Sequence, residues 1–242
     1  MTPGAEVNEN EALTAIAGVS NMTVHDSRRI DRMKLKGILI TAIIAVFATA
    51  AMAQMEKDKL KNPAALNEKA PDVYKANFDT SAGTFVIEVH RDWDPSGADR
   101  FYNLVKNGFY DDCRFFRVVP NFMVQFGING DPAVAGAWMK APFKDEKVKQ
   151  GNRRGYVSFA KPGMPNSRTT QVFINFKDNS DALDSQGFSA FGQVTTGMNV
   201  VDKIYSGYGQ NANQQMIQTQ GNEYLKKSFP KMDYIKKATI AQ

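Results

Sequence analysis

Apolar and polar residues alternate along two short runs, 74–78 and 84–89, on either side of Ser81-Ala82-Gly83. A period of two sends successive side chains to opposite faces, so the pair predicts a β-hairpin. The rhythm changes at Asp94-Pro95. Ala98, Phe101, Leu104 and Val105 recur at helical spacing, with an acidic cap and Pro before them and Asn107-Gly108 after them. This predicts one amphipathic helix with ordinary start and stop signals. Strand-like runs follow at 114–119, 122–126, 156–159, 171–175 and 189–194. A short helix is expected after Gly197, with Val200, Val201 and Ile204 on its apolar side, and a last strand over 234–240. Between them, 127–155 reads as irregular and 207–222, rich in Gln and Asn, as a surface loop. A short helix over 222–229 is stopped by Pro230. Many short strands, two or three helices and no βαβ rhythm predict a mainly β domain, a barrel with helices over its ends.

One run breaks its own pattern. Phe115-Phe116-Arg117-Val118-Val119-Pro120-Asn121-Phe122-Met123-Val124-Gln125 sets a cation and an amide among apolar residues. Such groups are seldom buried unless their hydrogen bonds are occupied. The combination predicts an apolar pocket with a few polar pointers, suited to an apolar ring beside a peptide bond.

The first fifth of the chain does not read as part of this domain. Met33-Lys34-Leu35-Lys36 is basic, 37–53 is apolar apart from Thr41 and Thr49, and Ala51-Met52-Ala53 precedes Gln54. Residues 33–53 therefore read as a cleaved signal peptide, the alternatives being a retained membrane anchor and a buried helix. Residues 1–32 read as a non-structural leader or a mis-assigned start, with Met33 the true one. Ser27-Arg28-Arg29 resembles a twin-arginine signal, but Asp31 and Arg32 stand where apolar residues belong. Lys-rich, Pro-punctuated 54–72 is expected to be a linker or loosely docked arm, and 73–242 the single domain. The expected location is periplasmic or secreted, with a membrane contact only through an uncleaved signal.

The chain has 242 residues and a formal charge of +5. Its basic residues are scattered, which argues against nucleic acid as a partner. Cys113 is the only cysteine, and His25 and His90 are the only histidines. That set leaves no internal disulfide, excludes most zinc sites and disfavours a Ser-His-Asp or Cys-His device. The expected chemistry needs no metal, no cofactor and no covalent intermediate.

Three ordered blocks carry a resemblance. They are Phe116 to Gln125; Val157-Ser158-Phe159-Ala160 with Asn166 to Gln171-Val172-Phe173-Ile174; and Leu183-Asp184 with Phe191-Gly192-Gln193-Val194 and Gly197-Met198-Asn199-Val200-Val201. Together they resemble the cyclophilin-type peptidyl-prolyl cis-trans isomerases from about Tyr74 to Ile204, with a looser tail to Ile240. The resemblance implies an eight-stranded antiparallel closed β-barrel capped by two α-helices. It implies a monomeric isomerase acting on proline-containing polypeptides, with Arg117 as the catalytic residue. Phe122, Met123, Phe173 and Leu183 would form the proline pocket, and Gln125 and Gln171 would bind the substrate backbone. Ala160 and Lys161 would hold the peptide by main-chain groups, with Lys161 favouring acidic substrates. Two positions depart from the family pattern. Ala182 stands where many members carry Trp or Phe, and Phe188 where many carry His, which implies weak cyclosporin binding. A non-catalytic proline-peptide-binding chaperone module is the alternative function, and a membrane-tethered isomerase the alternative setting.

Overall fold

The computed structural model describes Met55 and residues 58–241; the expected leader and signal segments lie outside the described residues. The first hairpin joins β1 (Val73–Thr80) to β2 (Gly83–His90), paired from Val73↔His90 to Thr80↔Gly83. β1 alternates strictly between exposed and buried positions, as its sequence predicts. Gly83 closes the turn at φ 130°, a region that favours glycine.

The helix α1 (Pro95–Lys106) follows where expected. The Asp94 carboxylate accepts from Gly97 N at 2.8 Å and caps it. Ala98, Phe101, Leu104 and Val105 are all buried against the sheet. Truncating a ring such as Phe101 in this position costs about 3–5 kcal/mol.

The remaining strands are β3 (Arg117–Val119), β4 (Met123–Phe126), β5 (Tyr156–Phe159), β6 (Val172–Asn175), β7 (Ala190–Thr196) and β8 (Ile235–Ile240). They complete one antiparallel, strongly curled sheet in the order β3-β4-β6-β5-β7-β2-β1-β8. The expected closed barrel is therefore corrected: β3 and β8 are end strands and form no ladder with each other. Val118 N on β3 donates instead to Gly209 O at 2.8 Å. A loop has taken the hydrogen bonds that a closing strand would need. Only the residues ahead of β3 reach β8, through Asp112 N to Ile235 O at 2.8 Å, Ile235 N to Cys113 O at 2.9 Å and one bridge between Arg114 and Tyr234.

Helix occupies two segments expected to be irregular, the second of them only in part. The first, α2 (Pro132–Met139), is capped by Asp131, whose Oδ1 accepts from Ala133 N at 2.8 Å. Next along the chain come single turns, α3 (Ser180–Leu183) and α4 (Met198–Val201). The last helix, α5 (Gln214–Ser228), kinks at Gly221, whose backbone is not helical. Its first half replaces much of the predicted surface loop, capped by Asn213 accepting from Met216 N at 3.1 Å, and its second half is the short helix expected before Pro230. The two-helix cap thus becomes three helices of two turns or more among the described residues. Where α5 meets α2, Gly221 adopts φ 60°; a side chain there would lie 2.1 Å from Gly130 O, so only glycine fits.

The arm packs against the domain. Leu60, Leu66 and Ala70 are buried, and the indole of Trp138 donates to Leu60 O at 2.8 Å. Asn103 on α1 both accepts from Glu68 N and donates to Glu68 O. Residues 58–72 are thus fastened to the domain, because their apolar residues complete its core.

The main core lies inside the curl, built from Phe78, Phe85, Phe101, Tyr110, Phe126 and Phe191 among others. A smaller core of Phe116, Ile128, Ala135, Ile217 and Leu225 joins α2 and α5 to the back of the β3 segment.

Candidate active site

Strand alternation divides the β3–β4–β6 surface. Val118, Val124, Ile174 and Val157 are mutual register partners and point into the main core. Arg117 pairs with Gln125, and Gln125 with Phe173, so these side chains stand together on the opposite face. The hairpin between β3 and β4 turns at Pro120-Asn121, where Asn121 adopts φ 60°, a conformation Asn tolerates. The awkward cation and amide of the sequence are therefore neighbours on one surface.

That surface floors a groove of about 740 Å³. Arg117, Phe122, Met123, Gln125, Ala160, Lys161, Gln171, Phe173, Leu183 and Phe188 all line it. Met123, Phe173 and Leu183 form a buried apolar cluster, completed by Val119, Phe122, Ala160 and Phe188. The rings of Phe173 and Phe188 meet edge to face, their centroids 5.7 Å apart. Ala182 is exposed and does not line the groove.

The polar side is a chain of amides. Arg117 Nη1 donates to Gln125 Oε1 at 3.1 Å, and Gln125 Nε2 donates to Gln171 Oε1 at 2.7 Å. The Arg117 guanidinium also lies 5.8 Å from the Phe122 ring centroid, within cation–π range. Arg117 is half-buried, and burial pulls its pKa below the ordinary arginine value. An arginine remains charged at neutral pH even so.

Lys161 is held differently. Its ammonium pairs with Asp145 at 2.8 Å and lies 5.6 Å from the Phe188 ring centroid. A carboxylate already matches its charge, which weakens the case for acidic substrates. Ala160 N donates to Gln171 O at 2.8 Å, so that main-chain donor is occupied within the sheet edge.

Several supporting residues have no mark in the sequence. Asn152 is fully buried; its Nδ2 donates to Asp184 Oδ1 at 2.7 Å and to Phe188 O at 2.8 Å, and its Oδ1 accepts from Ser158 Oγ at 2.7 Å. Asn179 Nδ2 holds Phe122 O at 2.9 Å. These amides lie far from the residues they fasten, so only the fold brings them together. Below the rim, Arg168 is buried against the Asp94 carboxylate, the cap of α1, and its guanidinium stacks 4.4 Å from the Phe143 ring centroid.

Neither Cys113 nor His90 lines the groove. Burial pushes the Cys113 thiol well up, so it is a poor nucleophile. Among the described residues, no cluster of three or more His, Cys, Asp or Glu could hold a metal, and no helix is long and apolar enough to cross a membrane. An apolar cup beside a fixed guanidinium can accept a small ring and place a charged donor over the adjoining amide.

Comparison with known proteins gives this arrangement a family. Residues 75–222 match the family model for cyclophilin type peptidyl-prolyl cis-trans isomerase/CLD. A peptidyl-prolyl cis-trans isomerase of Acinetobacter baylyi is 38% identical over 142 residues, covering 55% of this chain and 75% of that protein. Peptidyl-prolyl cis-trans isomerase B of Escherichia coli is 36% identical over 135 residues, covering 52% and 81%. A crystal structure of a Cryptosporidium parvum cyclophilin type peptidyl-prolyl cis-trans isomerase has a similar fold, with a TM-score of 0.52 at 20% identity, covering 70% of this chain and 98% of that one. The chain belongs to the cyclophilin-type peptidyl-prolyl cis-trans isomerases, enzymes of class EC 5.2.1.8.

Proposed function

We propose that this enzyme speeds X-Pro bond rotation during the folding of exported proteins, with Arg117 as its catalytic residue. The observation that carries this reading is the placing of the Arg117 guanidinium, braced by Gln125, at the edge of the Phe122–Met123–Phe173–Leu183 cup.

Rotation is opposed by a barrier of about 18–20 kcal/mol, because the nitrogen lone pair is delocalised into the carbonyl. A site lowers that barrier by fitting the twisted amide better than either planar form. In the twisted amide the nitrogen becomes pyramidal and regains its lone pair. A guanidinium donor aimed there helps more in the transition state than in the ground state. The apolar cup holds the ring while Gln125 and Gln171 offer amide groups to the flanking backbone. No bond is broken, and neither a metal nor a covalent intermediate enters. Phe188 closes the cup from the far side, and Lys161 and Ala160 border the bound peptide.

A proline-peptide isomerisation assay on wild type and Arg117→Ala tests this. The variant is expected to lose roughly a hundredfold in kcat/KM, the scale of a lost preorganised donor. Equal rates would overturn the role of Arg117. A wild-type protein that binds proline peptides without turning them over would be the chaperone module instead.

Export rests on the basic-then-apolar pattern of 33–53. The protein isolated from its native cell should begin at Gln54 or its cyclised form. An intact apolar run at the mature N-terminus would favour the tethered reading.

A further inference from the structure

Arg117 makes two side-chain hydrogen bonds, and only one involves the sequence blocks that point to the family. The second runs from Nε to Gln210 Oε1 at 3.2 Å, across 93 residues of chain. We propose that Gln210 is a positioning residue for Arg117: it fixes the guanidinium from the Nε side with a neutral acceptor and leaves the positive charge unmatched. The proposal rests on the reading of Arg117 as donor to the twisted amide.

The backbone makes this contact a built one. Gly209 O accepts from Val118 N at 2.8 Å, so the residues preceding Gln210 and following Arg117 are joined directly. Gly209 sits at φ 54° in a tight turn, with Gly209 N donating to Ser206 O at 2.9 Å and Asn211 N to Tyr208 O at 3.0 Å. Tyr208 anchors the turn, its ring 5.1 Å from that of Phe229 beside the smaller core. The turn therefore cannot drift from β3 without breaking a main-chain bond.

Charge is the second observation. Arg91, Arg114, Arg154 and Arg168 each pair with an aspartate, whereas Arg100, which donates to the carbonyls of Ala141 and Thr169, and Arg153 enter none of these ion pairs. Arg117 enters no ion pair among the described residues, and burial alone accounts for its lowered pKa. Two glutamine oxygens hold it instead. A carboxylate in either place would orient the fork equally well but offset the charge that the transition state needs. An apolar residue would free Nε and let the long side chain swing, and small misplacements of a catalytic group are costly.

Gln210 is exposed, so its variants should fold, and an unchanged thermal midpoint would show it. Gln210→Ala is expected to lower kcat about fivefold with KM held within about twofold, because the interaction strengthens only in the transition state. Gln210→Glu keeps the acceptor and adds a charge. Its kcat is expected to fall about threefold at low salt and to recover as ionic strength screens the new pair. A merely structural role would give no such salt dependence. A Gln210→Ala kcat within about twofold of wild type would overturn the proposal. So would a Gln210→Glu kcat that matches wild type at every salt concentration. Arg117→Ala measured alongside separates the failures. If that variant is slow while Gln210→Ala is normal, only this proposal fails; if it runs at the wild-type rate, the reading of Arg117 fails first.

Discussion

The two walls of the groove are built by different means. Arg117, Gln125 and Phe173 stand on neighbouring strands of an antiparallel ladder, in register and backed by the main core. Leu183 and Phe188 stand on a single helical turn and the loop after it, and Lys161 on another loop. The first wall is located by main-chain bonds that any sequence of the right pattern would make. The second is located by particular side chains, Asn152 beneath Phe188 and Asp145 beside Lys161. In the proposed function, chemistry that tolerates little displacement would sit on the ladder, and the wall that would meet variable substrate residues hangs on replaceable fastenings.

The sharpest test of the first wall is Arg117→Lys. Lysine keeps the charge but loses the planar fork that Gln125 and Gln210 grip. If orientation matters there, kcat/KM should fall roughly thirtyfold, measured in the isomerisation assay, with KM little changed. Wild-type activity would mean that charge alone suffices and that the ladder's precision is idle.

The second wall breaks first at Asn152. Its amide satisfies Asp184, Ser158 and Phe188 O from a fully buried position. Asn152→Ala leaves Phe188 O and Ser158 Oγ without this partner, while the backbone N–H of residue 152 still reaches Asp184, and should cost about 2 kcal/mol of stability, read from denaturant unfolding. With Phe188 loosened, KM should rise more than kcat falls. A fall in kcat as large as that of Arg117→Lys would erase the contrast between the walls.

Ala182 tests what the second wall lacks. It is exposed beside Leu183 and does not line the groove, so it offers no aromatic wall or indole donor. Cyclosporin should bind more weakly than about 1 μM, and Ala182→Trp should tighten it about tenfold by titration, the scale of one well-packed aromatic anchor. Submicromolar inhibition of the wild type would show that Phe188 already supplies the missing surface.

The same contrast decides what could be read from the sequence. Strands and the first helix announce themselves by period, because side-chain direction along either follows local pattern, while Ala160, Lys161, Gln171, Phe173, Leu183 and Phe188 are legible only through the family resemblance. Arg117 and Gln125 were visible as misfits in an apolar run. α2 escapes the sequence pattern although Asp131-Pro132 repeats the cap signal of Asp94-Pro95; its eight residues, apolar on every side, show no amphipathic period. In α5, the kink at Gly221 interrupts any helical period, and Gln and Asn obscure the first half; the second half is the short helix that the sequence predicts before Pro230. Barrel closure failed for a non-local reason: Gly209, distant in sequence, occupies the β3 edge. Asn152, Asp145 and Gln210 act across 16 to 93 residues, and no local pattern marks an amide as a fastening.

The smallest effect isolates the ionic fastening of the second wall. Asp145 accepts from Lys161 Nζ at 2.8 Å and from Asn166 N at 3.1 Å, and lies 3.3 Å from Arg168 Nε. Burial pushes its carboxyl up, but the hydrogen bonds and charges of Lys161, Asn166 and Arg168 outweigh that and hold it below the ordinary aspartate range. A carboxyl with a lowered folded pKa stabilises the fold above its unfolded value, about 3.9. That contribution is lost as pH falls through the folded value. Solvent at the groove rim screens the pair, so it is worth about 0.5 kcal/mol, or roughly 1–2 °C in Tm for a domain of this size. Thermal unfolding of wild type and Asp145→Asn should therefore differ by a constant small gap from pH 8 to about pH 5, and the gap should close below about pH 4. A gap that widens on acidification would reverse the sign and show that Asp145 is destabilising.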